Sequence, residues 1–71
     1  MNAAYIRAKV KAYSYATPAI QQQILRDIGV AAGLLPAKDQ NRYLPTAKAD
    51  EVRRWLRDNQ VILKLPAIEV L

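Results

Sequence analysis

The segment most diagnostic of the architecture is turn-rich and cationic, and it reads Leu34-Leu35-Pro36-Ala37-Lys38-Asp39-Gln40-Asn41-Arg42-Tyr43-Leu44-Pro45. A proline lies near each end, and each proline removes a backbone donor and restricts the residue before it, so the segment is not expected to be helical. Its Asp and Asn residues supply turn chemistry. We therefore predict a short β hairpin or irregular loop that presents Lys and Arg between two helical patterns.

The basic stretch that follows predicts a helix that starts between Thr46 and Asp50 and ends at about Asn59. Acidic residues at its front and arginines later suit the helix dipole, and the spacing allows ion pairs of Arg54 with Asp50 and with Asp58. One side is expected to be buried, and it consists of Val52, Trp55, Leu56 and Asn59. The remaining surface carries Arg53, Arg54 and Arg57.

Two further helices are predicted before this segment. Residues 2–13 form the first, because Ala3, Ile6, Val10 and Tyr13 recur at spacings of three or four. Arg7, Lys9 and Lys11 lie mostly off that apolar stripe, where they form a solvated face or contact phosphates.

Thr17 and Pro18 mark the start of the second helix, since Thr is a good N-cap and Pro suits the first helical position. Its buried stripe consists of Ile20, Ile24, Leu25 and Ile28, and its outward side carries Gln22, Gln23 and Arg26. Gly29 and Gly33 follow as C-cap or turn positions.

The C-terminal stretch is β-branched and apolar, and Pro66 interrupts it. High β-propensity favours a strand over residues 61–65. So apolar a terminus is expected to pack on its own core or on a second chain. The residues proposed for such a partner interface are Ile62, Leu65, Ile68 and Leu71.

Composition limits the function. The 71 residues suffice for one small domain, residues 1–71, and the absence of Cys and His argues against disulfides, most metal sites and imidazole or thiol catalysis. We find no catalytic constellation, so we expect no enzyme, no cofactor, no metal and no small-molecule substrate. No stretch approaches the length of a membrane span and no signal peptide is apparent, which predicts a cytoplasmic protein. The net charge of +5 favours anionic partners.

Residues 33–56 resemble the wing and the following helix of the mercury-resistance regulator and excisionase group. The resemblance is carried by Gly33-Leu34-Leu35-Pro36, by Arg42-Tyr43, and by Asp50-Glu51-Val52 with Leu56. It implies a mainly α, winged helix-turn-helix domain of three helices with a short β wing. A second helix-turn-helix register fits residues 20–35, but its recognition helix, residues 31–35, would offer no hydrogen-bonding side chain to a base edge.

These features favour a small accessory or regulatory DNA-binding protein that acts as a homodimer. Helix two would enter the major groove, where Gln22 and Gln23 can pair with adenine and Arg26 with guanine or phosphate. Phosphate contacts are expected from Lys38, Arg42, Tyr43, Arg53, Arg54 and Arg57. Trp55 and the tyrosines Tyr5, Tyr13 and Tyr15 are expected mainly in the core or as staple residues. The alternative is an interaction module that docks on a partner protein through its apolar C-terminal segment.

Overall fold

The N-terminal half of the chain forms a helical hairpin whose two starts are set by side-chain caps. A computed structural model describes residues 2–39 and 44–65. Helix α1 spans Ala3–Tyr13 and begins where Asn2 Oδ1 accepts the Tyr5 backbone N–H at 3.0 Å. Helix α2 spans Pro18–Ala31, and Thr17 Oγ1 accepts the Ile20 N–H. The sequence-based bounds of the first helix and the start of the second are confirmed.

Helix α2 ends at a turn formed by Gly33, whereas Gly29 takes no part in that turn as a C-cap. Gly33 adopts a φ of +78°, and the N–H groups of Leu34 and Leu35 turn back to the Gly29 carbonyl. The prediction of a turn at Gly33 is therefore confirmed. Gly29 was predicted as a C-cap as well, and this is wrong, because Gly29 is buried inside α2 where another helix approaches it closely.

The C-terminal half is also helical. A short 3-10 turn spans Ala37–Asp39, helix α3 spans Thr46–Asp58 and helix α4 spans Gln60–Leu63. Between α3 and α4 the chain bends at Asn59, whose side chain donates to the Trp55 carbonyl at 2.8 Å. The predicted bounds of the third helix agree with α3.

The predicted β elements are contradicted. The described residues 2–39 and 44–65 contain no strand and are helical in four segments of α-helix, so the chain is not a three-helix domain with a β wing. The predicted strand 61–65 is wrong, because residues 60–63 continue from α3 as another helical turn that buries Leu63. Tertiary packing outweighs local β-propensity here. The wing was also expected to include residues 40–43, which lie outside the described part of the chain.

Helix α2 is the central element, since it packs against both α1 and α3. The apolar core gathers side chains from every α-helix and from the segments beside α3 and α4; its buried members are Ile6, Val10, Tyr13, Ile24, Leu25, Ile28, Leu44, Ala49, Val52, Leu56, Leu63 and Leu65. Ile20 was expected in the buried stripe, but its side chain is 54% exposed because the first turn of α2 extends past the core.

Gly29→Ala tests how tightly α2 and α3 approach. A Cβ atom at this position would lie 2.5 Å from Leu35 Cδ1 and 3.1 Å from Val52 Cγ2. We expect a net loss of about 1 kcal/mol in the free energy of unfolding, because crowding costs about 1–3 kcal/mol and the gain in helix propensity offsets about 1 kcal/mol of it. Urea denaturation followed by Trp55 fluorescence measures this change. In a Leu35→Ala background the substitution should cost less, and a stabilising effect in the wild-type background would contradict the close approach.

Candidate functional site

Helix α2 presents little of the polar surface that was expected to read bases. Arg26 is only 4% exposed, so the prediction that it points away from the core is wrong. The error arises because α2 is covered on two sides, by α1 and by α3. Gln22 is half-buried, and its Oε1 atom is buried with no hydrogen-bond partner. Gln23 is exposed, and its Nε2 donates to Asp27 Oδ1 at 2.9 Å.

The segment expected to form the wing contributes one described cation. Lys38 is exposed in the 3-10 turn that follows α2. Arg42 and Tyr43, the other two residues assigned to the wing, lie outside the described residues.

The three arginines of α3 differ in their partners. Arg53 is partly buried, and its guanidinium donates to Asp50 Oδ1 at 3.1 Å and to the Tyr13 hydroxyl at 3.4 Å. Arg54 and Arg57 are exposed, and neither forms a hydrogen bond or ion pair within residues 2–39 and 44–65. The expected pairs of Arg54 with Asp50 and with Asp58 are not formed among these residues, and Asp50 pairs instead with Arg53, three residues along the helix.

Two contacts hold α1 beside the C-terminal helices. Arg53 of α3 meets Tyr13 at the end of α1, and Arg7 near the start of α1 donates to the Leu63 carbonyl of α4 at 3.0 Å. Arg53 comes before Leu63 in the chain, whereas its partner Tyr13 comes after Arg7, the partner of Leu63. The segment from Arg53 to Leu63 therefore runs antiparallel to α1. The side of α1 that bears Arg7 thus faces α4, and Arg53 of α3 reaches the end of α1 through Tyr13.

One further cation on each helix lies between these two contacts. Lys11 follows Arg7 by four residues and Arg57 follows Arg53 by four, which places each pair on one side of its helix. Lys11 and Arg57 are both exposed. We call the surface formed by Arg7, Lys11, Arg53 and Arg57 the α1–α3 seam.

Carboxylates do little to neutralise the seam. Asp50 is the acidic partner of Arg53, whereas Asp27 pairs with Lys9 at 3.1 Å and Glu51 pairs with Lys48 at 3.3 Å. Asp58 comes directly after Arg57 and so projects about 100° further around the helix. Among the described residues, the four seam cations thus face a single carboxylate, Asp50.

Hydrogen bonding raises the pKa of two cations, Arg53 and Lys9. The bond to the Tyr13 hydroxyl raises the pKa of Arg53, with a smaller contribution from Asp50, while burial acts in the opposite direction. The bond to Asp27 likewise raises the pKa of Lys9 against the effect of burial. Lys9 also lies 5.4 Å from the centre of the Tyr5 ring.

The residues proposed for a protein interface do not form one surface. Ile62 is 77% exposed on α4, next to Val61, which is 89% exposed. Leu65, in contrast, is 8% exposed and belongs to the chain's own core, so its expected place in a partner interface is wrong. Ile68 and Leu71 lie outside the described residues.

Three seam-side residues were missing from the sequence-based site. Arg7 and Lys11 are expected from the sequence to form a solvated face or to contact phosphates, and Tyr15 is expected mainly in the core. Tyr15 is instead 88% exposed, while Tyr13 is buried as expected. The four-residue spacing of Arg7 and Lys11 was the available signal that they share one side of α1.

Other kinds of site find no support in the part of the chain that the structure describes. There, no cluster of three or more His, Cys, Asp or Glu side chains could hold a metal ion. None of the described helices has both the length and the apolar character needed to cross a membrane. Comparison with protein-family models, with curated proteins and with solved structures returned no match to this chain.

Stability should depend on pH through the Lys9–Asp27 pair. Lys9 has a pKa above its usual value of 10.5 in the folded chain, so the stability it contributes is fully present below pH 10.5 and is lost as the pH rises through the folded pKa. Lys9→Met should cost about 1.5–3 kcal/mol at neutral pH, because a charged hydrogen bond to a largely buried carboxylate is removed.

Urea denaturation of the wild type and of Lys9→Met across this pH range measures the effect, and the difference between them should shrink above pH 10.5. Lys48→Met is the matched control, since its exposed pair with Glu51 should contribute less than about 1 kcal/mol. A difference between wild type and Lys9→Met that stays constant with pH would exclude the linkage.

Proposed function

We propose that this protein binds DNA through phosphate contacts along the α1–α3 seam, as a small accessory or regulatory protein. The observation that carries the proposal is the pair of contacts, Arg53 to Tyr13 and Arg7 to Leu63, that connect α1 to α3 and α4 through cationic side chains. Lys11 and Arg57 lie between those contacts with their charged groups available. A guanidinium or ammonium placed in this way suits a phosphate oxygen.

The seam cations are spaced closely enough to attract phosphates together. Residues four apart on a helix are separated by about 6 Å along its axis, and the screening length at physiological salt is about 8 Å. The cations of each row therefore act on the same stretch of phosphate backbone. Arg54, exposed one position before Arg57, extends the positive surface of α3.

The proposal assigns no base-reading helix. Entry of helix two into the major groove was expected to use Arg26, and burial of Arg26 at 4% exposure removes its guanidinium from such a role. Phosphate contacts position a protein on DNA but carry no sequence information. The binding supported by the seam is therefore electrostatic and largely independent of sequence.

A second candidate function rests on the exposed apolar pair Val61 and Ile62. Two adjacent β-branched side chains, 89% and 77% exposed, are unusual on so small a surface and suit docking on an apolar patch of a partner protein. This mode would use little of the seam. Its affinity would change little with salt, whereas binding through phosphates weakens steeply as salt increases.

Lys11→Gln and Arg57→Gln test the DNA proposal. Each should weaken binding to every DNA sequence and reduce the slope of log K against log salt concentration by about 0.7–0.9, because each removes one phosphate contact. Fluorescence anisotropy of a labelled random-sequence DNA, titrated at several ionic strengths, measures both quantities.

Lys48→Gln is the charge-matched control for these two variants. Lys48 pairs with Glu51 and lies five positions before Arg53, about 140° away around α3. Its loss should lower the affinity less and leave the slope nearly unchanged. Equal effects of all three substitutions would mean that net charge, and not the seam, determines binding.

Ile62→Ser tests the second candidate. It should abolish salt-insensitive co-purification with one defined protein while leaving the unfolding temperature unchanged, because Ile62 is largely exposed already. Ile20→Ser is the matched control, since Ile20 is 54% exposed on α2. Co-purification that survives Ile62→Ser, or that Ile20→Ser abolishes equally, would contradict docking through α4.

A further inference from the structure

The most exposed aromatic side chain of the described residues lies in line with the cations of α1. Tyr15 is 88% exposed, compared with 39% for Tyr5 and 5% for Tyr13. Its ring makes no ring contact and its hydroxyl no hydrogen bond within residues 2–39 and 44–65. Full exposure of a tyrosine ring leaves a large apolar face in water, available to a flat partner.

A tight turn connects the end of α1, which carries Lys11, to Tyr15. Ser14 has helical φ and ψ of −63° and −25°, and the Tyr15 N–H donates to the Ala12 carbonyl at 3.2 Å. Helix α1 ends at Tyr13, and the tight turn that follows places Tyr15 four residues beyond Lys11 and eight beyond Arg7. The two cations of α1 are thus followed, directly after the helix, by an exposed aromatic ring.

We infer that the α1–α3 seam binds a single strand of nucleic acid, with phosphates on Lys11 and Arg57 and one base stacked on Tyr15. The inference rests on the proposed function and names its substrate class. Proteins that bind single strands combine a positively charged track for the backbone with aromatic rings on which bases stack. Both parts occur here near the end of α1, which Arg53 of α3 contacts through the Tyr13 hydroxyl.

A duplex would leave this aromatic ring unused. In a double helix each base already stacks on its neighbours and pairs with the other strand, so its flat face is covered, whereas an unpaired base is free to stack on a side chain. The burial of Arg26 in α2 also removes a side chain that was expected to read base edges from the major groove. Charge and exposed ring together therefore favour an unpaired strand.

Tyr15→Ser separates base stacking from phosphate attraction. It should weaken binding to labelled oligothymidine about tenfold, because stacking of one base contributes about 1–3 kcal/mol. Binding to an abasic strand with the same number of phosphates should stay unchanged, as should the salt dependence. Tyr15→Phe should retain the affinity of the wild type, and Tyr5→Ser is the control for loss of a tyrosine elsewhere on α1.

Nuclear magnetic resonance supplies a direct signature. The Tyr15 ring protons should shift upfield when oligothymidine is added and should not shift with the abasic strand. If Tyr15→Ser weakens binding to oligouridine as much as binding to oligothymidine, Tyr15 stacks on bases of RNA and DNA single strands alike. Tighter binding to a duplex of equal length than to oligothymidine, or no effect of Tyr15→Ser on oligothymidine, would overturn the inference.

The two proposals fail in different ways. If Lys11→Gln and Arg57→Gln weaken binding while Tyr15→Ser does not, the seam binds phosphates and the stacking inference alone is wrong. If none of these substitutions changes binding to any strand or duplex, the seam is not the binding surface and the proposed function is wrong as well.

Discussion

Burial of α2 between α1 and α3 is the constraint on which the rest of the molecule depends. A chain this short reaches an adequate apolar core only if one helix is covered from two directions. The approach requires Gly29, since a Cβ atom there would crowd Leu35 and Val52. It also encloses two charged residues, Arg26 and Asp27, and Asp27 is matched by Lys9 and Gln23. The apolar contacts and the matched carboxylate therefore stabilise the same arrangement.

The central position of α2 determines which surfaces remain for binding. Because α2 is covered, the polar groups able to meet a large partner belong mainly to α1, α3 and α4. The outer helices meet through Arg53 with Tyr13 and Arg7 with Leu63, and both contacts are made by arginines. Arginine side chains thus connect these helices in addition to the apolar core that they share.

Local signals predicted the helices well and tertiary relations poorly. Asn2, Thr17 with Pro18, and Gly33 act within one turn of their own position, so the starts of α1 and α2 and the turn after α2 could be read from the sequence. The segment 61–65 could not, because its β-branched residues favour a strand locally while the core selects a helical turn that buries Leu63. The site divides in the same way. The exposed arginines of α3 follow from spacing, but the contacts of Arg53 with Tyr13 and of Arg7 with Leu63 depend on how α1 packs.

The cations behind the net charge of +5 include some that are bonded within the protein and some that are exposed to solvent. Lys9, Lys48 and Arg53 have carboxylate partners, and Arg7 is bonded to a backbone carbonyl, so their charges serve the fold. Lys11 and Arg57 each follow a fold-serving arginine by one helical turn, and helical geometry fixes their position relative to it. On each helix of the seam, an arginine that is bonded within the protein is thus followed by an exposed cation that can bind a partner. Loss of Arg7 or Arg53 would then disturb binding indirectly, by releasing the helices that hold Lys11 and Arg57 in place. The net charge alone does not distinguish the bonded cations from the exposed ones.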